Sequence, residues 1–363
     1  MSILLFVVVL VVLILVHEFG HFLTAKAFKM RVDEFGVGYP PRAWGIKRGE
    51  TEYTLNWLPF GGFVKIHGED GTEGVPDPRS FTSKPKWQQA TVLVAGIVMN
   101  LVLAYVLLTG TLAAGMPRAL APEEVATATD TGLLVSAVLP GSPAEKEGVL
   151  PGDIIRSVDA VPGSFEGADT EAFSAYVGAL KGKTLGLRID RNGTPLTISV
   201  IPVDGLIEVD KERAALGVSI APLGTIAVPL LEAPIEGAKL TYEATKQTAI
   251  GLAVFFGGLF TFSADLSQVS GPIGIAGAVG SASQSGIVSL LTLTALISIN
   301  LALINLLPVP ALDGGRLLFV IIEAVTRKRI PATFAGIVNL GGFALLILLM
   351  LVVTASDLFK IFS

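Results

Sequence analysis

Residues 90–115, 286–307 and 333–355 each run for more than twenty positions without a charged side chain, and a fourth stretch, from about residue 2 to 25, is interrupted only by His17, Glu18 and His21. Nothing else in the chain limits its fold so strongly. The hydrocarbon of a bilayer is about 30 Å thick and is crossed by roughly 20 apolar residues of helix. No water is present there to satisfy backbone amides, so a spanning segment must bond to itself as a helix or close into a barrel. Uninterrupted runs of this length predict an α-helical polytopic membrane protein with about four transmembrane helices. Residues 1–25 have neither a basic leader nor a small-residue cleavage site, so the first run is expected to be a retained helix. A fifth apolar stretch, 249–262, is shorter and holds Gly251, Gly257 and Gly258. It follows the amphipathic "EGAKLTYEATKQ", and is expected to be interfacial or re-entrant.

Charge sets the expected orientation. Residues 26–89 carry ten Lys and Arg, and Arg316, Arg327, Lys328 and Arg329 lie between the third and fourth runs, whereas residues 1–16 carry none. Short basic loops stay in the cytoplasm. Residues 26–89 are therefore expected inside, and both termini and the long segment 116–285 outside. The formal net charge of −5 provides no basic surface for nucleic acid, so no nucleic-acid partner is expected. Within 128–204 the sequence alternates short apolar strands with turns, places helix starts at Ser142-Pro143 and near Ala172, and has a hairpin signal at Asn192-Gly193. Gly141-Ser142-Pro143-Ala144 followed by Gly152-Asp153-Ile154 resembles the bacterial PDZ domain, which implies one inserted extracytoplasmic α+β domain able to bind a peptide or protein ligand. Residues 205–285 are read as a further extracytoplasmic or interfacial amphipathic segment.

The first run also carries chemistry. His17 and His21 are four residues apart in HEFGH, so on a helix their rings share one face. With no cysteine in the chain, a transition metal must be held by His and carboxylate. Two His at i and i+4 suit one tetrahedral zinc, and Glu18 is placed to act as general base on a water activated there. HExxH also occurs by chance in ordinary helices. Three ionisable groups inside a membrane span need a different account, because each costs about 2–3 kcal/mol to bury in hydrocarbon. A catalytic zinc takes three protein ligands, and the candidates for the third are His67 and Asp313. His67 lies near Lys65, Glu69 and Asp70 in a segment expected to be solvated. The first and third helices both run from outside to inside. His17 and His21 lie about 21–27 Å along the first, at about 1.5 Å per residue. That depth is level with Asp313, just past the inner end of the third, so Asp313 is the expected ligand.

HEFGH at 17–21 and "NLLPVPALDGG" at 305–315 together resemble the site-2 protease family, the bacterial intramembrane zinc metalloproteases of the regulator-of-sigma-E protease type. "TEYTLNWLPFGGFVKIHGED" resembles the family's membrane-associated β-hairpin, expected here over about 49–70, and "SGPIGIA" at 270–276 resembles a further family segment. The resemblance implies that His17, His21 and Asp313 bind Zn2+, that Glu18 is catalytic, and that Asn305, Pro308 and Pro310 shape the substrate site. It implies substrates that are single-span membrane proteins, such as anti-sigma factors after a first cut, and remnant signal peptides. It also implies residence in the bacterial inner membrane. An unwound substrate could add as a strand to the hairpin edge at Phe63 and Val64, recovering backbone hydrogen bonds. The rival readings are a non-proteolytic zinc-binding scaffold, a zinc transporter and a PDZ-based membrane adaptor. An intact Glu18, the lack of internal repeats, and HExxH itself argue against them in turn.

Overall fold

The computed structural model describes residues 2–69, 77–161, 163–191, 193–206, 213–226, 228–261 and 271–362. Asp70, Asn192, Phe262 and Ser270, each part of a segment singled out above, lie outside them. In chain order the elements begin with α1 (Ser2–Ala27), β1 (Val32–Arg48), β2 (Thr51–Ile66), α2 (Lys86–Ala113), β3 (Pro117–Ala119), β4 (Thr129–Val138), α3 (Pro143–Lys146), β5 (Ile154–Asp159) and β6 (Ser164–Glu166). They continue with α4 (Thr170–Ala179), β7 (Leu185–Arg191), β8 (Thr194–Val200), β9 (Val218–Thr225), α5 (Ala233–Phe260), α6 (Pro272–Gln284), α7 (Ile287–Leu306), α8 (Asp313–Thr326) and α9 (Ala332–Phe362). Two compact units result: Met1–Thr109 with Pro234–Ser283 and Leu290–Ser363, and Gly110–Ala233 with Gln284–Ser289.

The first unit holds the membrane helices. Among the described residues, four are long and apolar enough to cross a bilayer, lying within α1, α2, α7 and α9. Helix α5 is continuous for 28 residues, so the amphipathic segment and the apolar stretch after it form one element rather than two. Helix α8 follows α7 after the Pro-containing link 307–312. It is tied by ion pairs from Arg316 to Glu69 and from Lys86 to Glu323.

The β-structure of this unit differs from the expected 49–70 hairpin. β2 is one strand that pairs with the whole of β1, and the turn between them is Gly49-Glu50. Gly49 has φ +63°, as the first position of a two-residue hairpin loop requires. Each strand bends, so the pairing forms several rows. Phe35 lies opposite both Val64 and Tyr53, and Tyr53 also lies opposite Ile46. The two halves of β2, 51–58 and 62–66, therefore do not pair with each other; the first half of β1 lies between them. β1 escapes a reading by pattern because Gly36, Gly38, Pro40 and Pro41 punctuate it like a loop. Row 62–66 pairs within the sheet on one side only, with residues 32–37.

The second unit is built on a sheet in the order β3-β9-β4-β5-β7-β8, with β6 beside β5. Its core comes from alternation: Leu185, Leu187 and Ile189 are buried in β7 while the residues between them face away, and they pack with Leu133, Val135, Ile155 and the α4 residues Phe173 and Val177. Asp169 caps α4, accepting from the backbone N–H groups of Glu171 and Ala172. Burial raises the Asp153 carboxyl, but a two-point bond from Arg191 (2.7 and 2.8 Å) and the Leu150 N–H outweigh this and hold it below the usual carboxylate range. The sheet is larger than the expected 128–204 segment. β9 pairs with β4 from Val138 to Thr129, so residues up to Thr225 belong to it, and β3 extends it from Pro117.

Candidate metal centre

The site starts from α1. Helical spacing turns both His rings to the α2 side, where they meet edge to face at 4.7 Å between centroids. Their Nε2 atoms lie 3.1 Å apart. His21 Nδ1 is 2.8 Å from the Val92 carbonyl of α2. A carbonyl only accepts, so this nitrogen carries the proton and the lone pair of His21 sits on Nε2. Both His residues are buried.

Asp313 arrives from the other end of the sequence. Pro308 and Pro310 end α7, since proline neither donates to a helix nor allows helical geometry before it. Ala311 takes φ +73°, and its N–H is 3.3 Å from Oδ1 of Asn339 on α9. The link then folds back over the first turn of α8. A Cβ on Gly314 would lie 2.2 Å from the Leu307 carbonyl, and one on Gly315 would lie 2.3 Å from that of Val309. The two glycines after Asp313 are thus what let the link lie flat and aim the carboxylate inward. Asp313 Oδ2 reaches His17 Nε2 at 2.9 Å and His21 Nε2 at 3.3 Å.

Among the described residues, His17, His21 and Asp313 are the one set of three His, Cys, Asp or Glu groups whose donor atoms lie within 4.8 Å of one another. Zinc at bond lengths of about 2.0–2.1 Å in a tetrahedron holds its ligand atoms about 3.3 Å apart. The observed separations of 2.9, 3.1 and 3.3 Å are close to that edge, and two imidazole nitrogens with one carboxylate oxygen form the donor set such a metal takes. The residues fit the metal.

Sequence reasoning missed the contribution of α2. A Cβ on Gly96 would sit 2.4 Å from His21 Nε2 and 2.8 Å from His17 Cε1, so only bare backbone can pass the two rings. Gly20 does the same for the helix contact: its Cβ would meet the Ala95 carbonyl at 2.4 Å. The signal was there as small residues spaced along apolar helices. The fully buried Asn100, four residues after Gly96, places its side-chain nitrogen 3.4 Å from His17 Nδ1, and Ser298 on α7 donates to the Asn100 carbonyl at 2.8 Å.

The remaining candidates are distributed around this centre. Glu18 lies beside the outer row of the β-sheet, its Cγ 3.7 Å from where a Gly62 Cβ would be. Phe63 and Val64 sit in that row on opposite faces: Phe63 stacks with Tyr39 at 6.2 Å, while Val64 packs on the cluster around Ala25, Met30 and Ile66. Asn305 is in the last turn of α7, and Pro308 and Pro310 lie in the link, where a Cβ on Gly342 of α9 would meet Pro310 at 2.4 Å. His67 is not part of the three-residue group. It lies between Asp33 (3.3 Å) and Asp77 (3.4 Å) and is partly buried, not simply solvated.

The sequence pattern of Peptidase family M50 matches residues 5–349. A Clostridium perfringens protein assigned by name to the zinc metalloproteases is 36% identical over 352 residues, covering 95% of each chain. The regulator of sigma-W protease RasP of Bacillus subtilis is 29% identical over 441 residues, covering 98% of each. The crystal structure of a PDZ domain from an SdrC-like protein of Listeria innocua matches 24% of this chain and 92% of its own, at 22% identity and a TM-score of 0.21, which carries no argument. The chain belongs to peptidase family M50, the site-2 proteases, and is a multi-pass membrane zinc metalloprotease.

Proposed function

We propose that this protein cleaves transmembrane segments of single-span membrane proteins, of the anti-sigma-factor type after a first cut and of the remnant-signal-peptide type, in regulated intramembrane proteolysis. The observation that carries this reading is the convergence of His17, His21 and Asp313 donor atoms at 2.9–3.3 Å beside an apolar helix of membrane-crossing length. The name of the Bacillus subtilis relative, a regulator of sigma-W protease, supports the substrate class. His17, His21 and Asp313 hold Zn2+. When bound, the ion supplies Lewis-acid activation of water and of the scissile carbonyl. The Glu18 carboxylate accepts a proton from the attacking water and delivers it to the leaving amide nitrogen.

A substrate helix hides its carbonyls in its own hydrogen bonds, so it must open before it can react. The outer row 62–66 next to Glu18 gives the opened strand a backbone to pair with, with Phe63 and Val64 setting its register and Asn305, Pro308 and Pro310 contacting it on the other side. By the distribution of Lys and Arg, residues 26–89 and the α8 end face the cytoplasm of a bacterial inner membrane, with the active site toward that side and the second unit outside. The second unit is a PDZ-type domain. A cavity of about 440 Å³ between α4 and β9, with Phe173, Val177, Leu216 and Val218 in its lining, supports a peptide or protein ligand there.

Purified protein in detergent with a single-span reporter tests the reading. Chelation should stop cleavage and added zinc restore it. Glu18→Gln should retain zinc and lose cleavage by several orders of magnitude, because the amide accepts no proton. Near-normal turnover by that variant removes Glu18 from the mechanism. Zinc flux into vesicles without any cleavage favours the transporter reading instead.

A further inference from the structure

We propose that Asn100 is a positioning residue for the metal centre. Its side-chain oxygen accepts the Nδ1–H of His17 and so fixes the His17 tautomer whose Nε2 lone pair faces the ion. The inference rests on the zinc reading above and extends it to a residue that contacts no reacting atom.

The two histidines are held differently. His21 Nδ1 faces the Val92 carbonyl at 2.8 Å, a partner that can only accept, so its tautomer is settled by backbone. Among the described residues, His17 Nδ1 faces the side-chain amide of Asn100, at 3.4 Å through the nitrogen as oriented. In that orientation the amide donates to Nδ1, the proton moves to His17 Nε2, and the lone pair that should face the metal is gone. It also leaves the Asn100 side-chain oxygen buried with no hydrogen-bond partner among the described residues. The oxygen and nitrogen of an amide are exchanged by a half-turn about one bond, and their assignment follows from the hydrogen-bond network. If His17 Nε2 is a ligand, Nδ1 is an N–H, and an NH2 group opposite it sets donor against donor. The orientation compatible with the metal therefore turns the oxygen to Nδ1. Asn100 is fully buried, and Ser298 on α7 holds its backbone carbonyl at 2.8 Å, so the side chain is presented from a fixed point on α2. Histidine ligands generally need such an acceptor on the far nitrogen, and its loss weakens metal binding by about 10–100-fold.

The test is zinc affinity of the full-length protein in detergent, measured by competition with a chromogenic chelator, with thermal unfolding of the metal-free form as a second readout. Asn100→Leu keeps the branched skeleton, with bulkier methyl groups, and removes the acceptor. It should bind zinc about 10–100-fold more weakly while the metal-free protein unfolds at nearly the wild-type temperature. Asn100→Asp restores an acceptor in either orientation and should recover wild-type affinity. His17→Ala is measured alongside and should lose zinc. Wild-type affinity in Asn100→Leu, or equal loss in Asn100→Leu and Asn100→Asp, overturns the proposal while leaving the metal site standing. Full zinc in His17→Ala overturns the metal reading itself.

Discussion

At the scale of single residues, Asp313 and His67 are the two candidates for the third ligand, and both sequence depth and geometry bear on the choice. Depth along two helices that both run from outside to inside favours Asp313, and its carboxylate lies against both histidines. Asp313→Ala should therefore lose most zinc and all proteolysis, since affinity depends steeply on ligand count. His67→Ala should keep zinc and cleavage, because His67 bridges Asp33 and Asp77 instead. Metal content of the purified variants decides, and full zinc in Asp313→Ala with depletion in His67→Ala sinks the assignment. Gly96 shows the opposite case. Its sequence signal is only a small residue in an apolar helix, because the reason for a bare Cα there is a ring contributed by another helix. Gly96→Ala puts a methyl 2.4 Å from His21 Nε2, so it should displace the ring and lower zinc content and cleavage together. Gly110→Ala, on the same helix with nothing within 4 Å, is the control, and should be neutral or stabilise the helix by up to about 1 kcal/mol. If Gly96→Ala binds zinc and cleaves like Gly110→Ala, the close passage of α2 is not part of the site.

At the scale of elements, legibility tracked how local the cause was. Among the described residues, the four helices long and apolar enough to cross a bilayer declare themselves because each satisfies its own backbone. In the sequence the β-sheet of the first unit reads as a hairpin within 49–70, because the strand that β2 pairs with, β1, carries two prolines and two glycines near its middle, and pairing across rows leaves no periodic trace in either strand. The correction changes what borders the active site. The 62–66 row is an edge held to residues 32–37, with α1 and Glu18 beside it. A strand added there would use backbone N–H and C=O groups alone, which makes the proposal separable from side-chain packing. Val64→Pro and Val64→Ala lose similar packing against the Met30 cluster, but only Pro removes a backbone donor. Cleavage by Val64→Pro should fall at least tenfold below that of Val64→Ala at matched expression and zinc content. Equal rates in the two variants argue that substrate does not pair with this edge.

At the scale of the whole molecule, the question is where the second unit begins and ends, because that decides what its removal can reveal. The PDZ-like signals run over 128–204, since they are carried by local turns and a two-residue hairpin. The strand that closes the sheet comes later: β9 lies between β3 and β4, and its register with β4 extends from Val138 to Thr129. Excising 128–204 would strip β9 of β4 and leave it paired only with short β3 at Leu223–Thr225, so that apolar Val218 and Ile220 lose their cover and β9 gains an exposed edge of the kind that aggregates. Excising 117–225 removes every strand of the sheet together. All residues proposed for zinc binding and proton transfer lie in the first unit. The longer deletion, closed by a short Gly/Ser linker, should therefore express in the membrane and still cleave a reporter with a short outer segment. It should also cleave the same transmembrane segment carrying a bulky outer domain, which the intact protein should cut poorly if this unit screens substrates by size. The shorter deletion should be recovered in low yield. The measurement is the ratio of the two reporters' cleavage rates in the intact and 117–225-deleted proteins. An unchanged ratio would mean that selection by size, if it occurs, is made within the first unit.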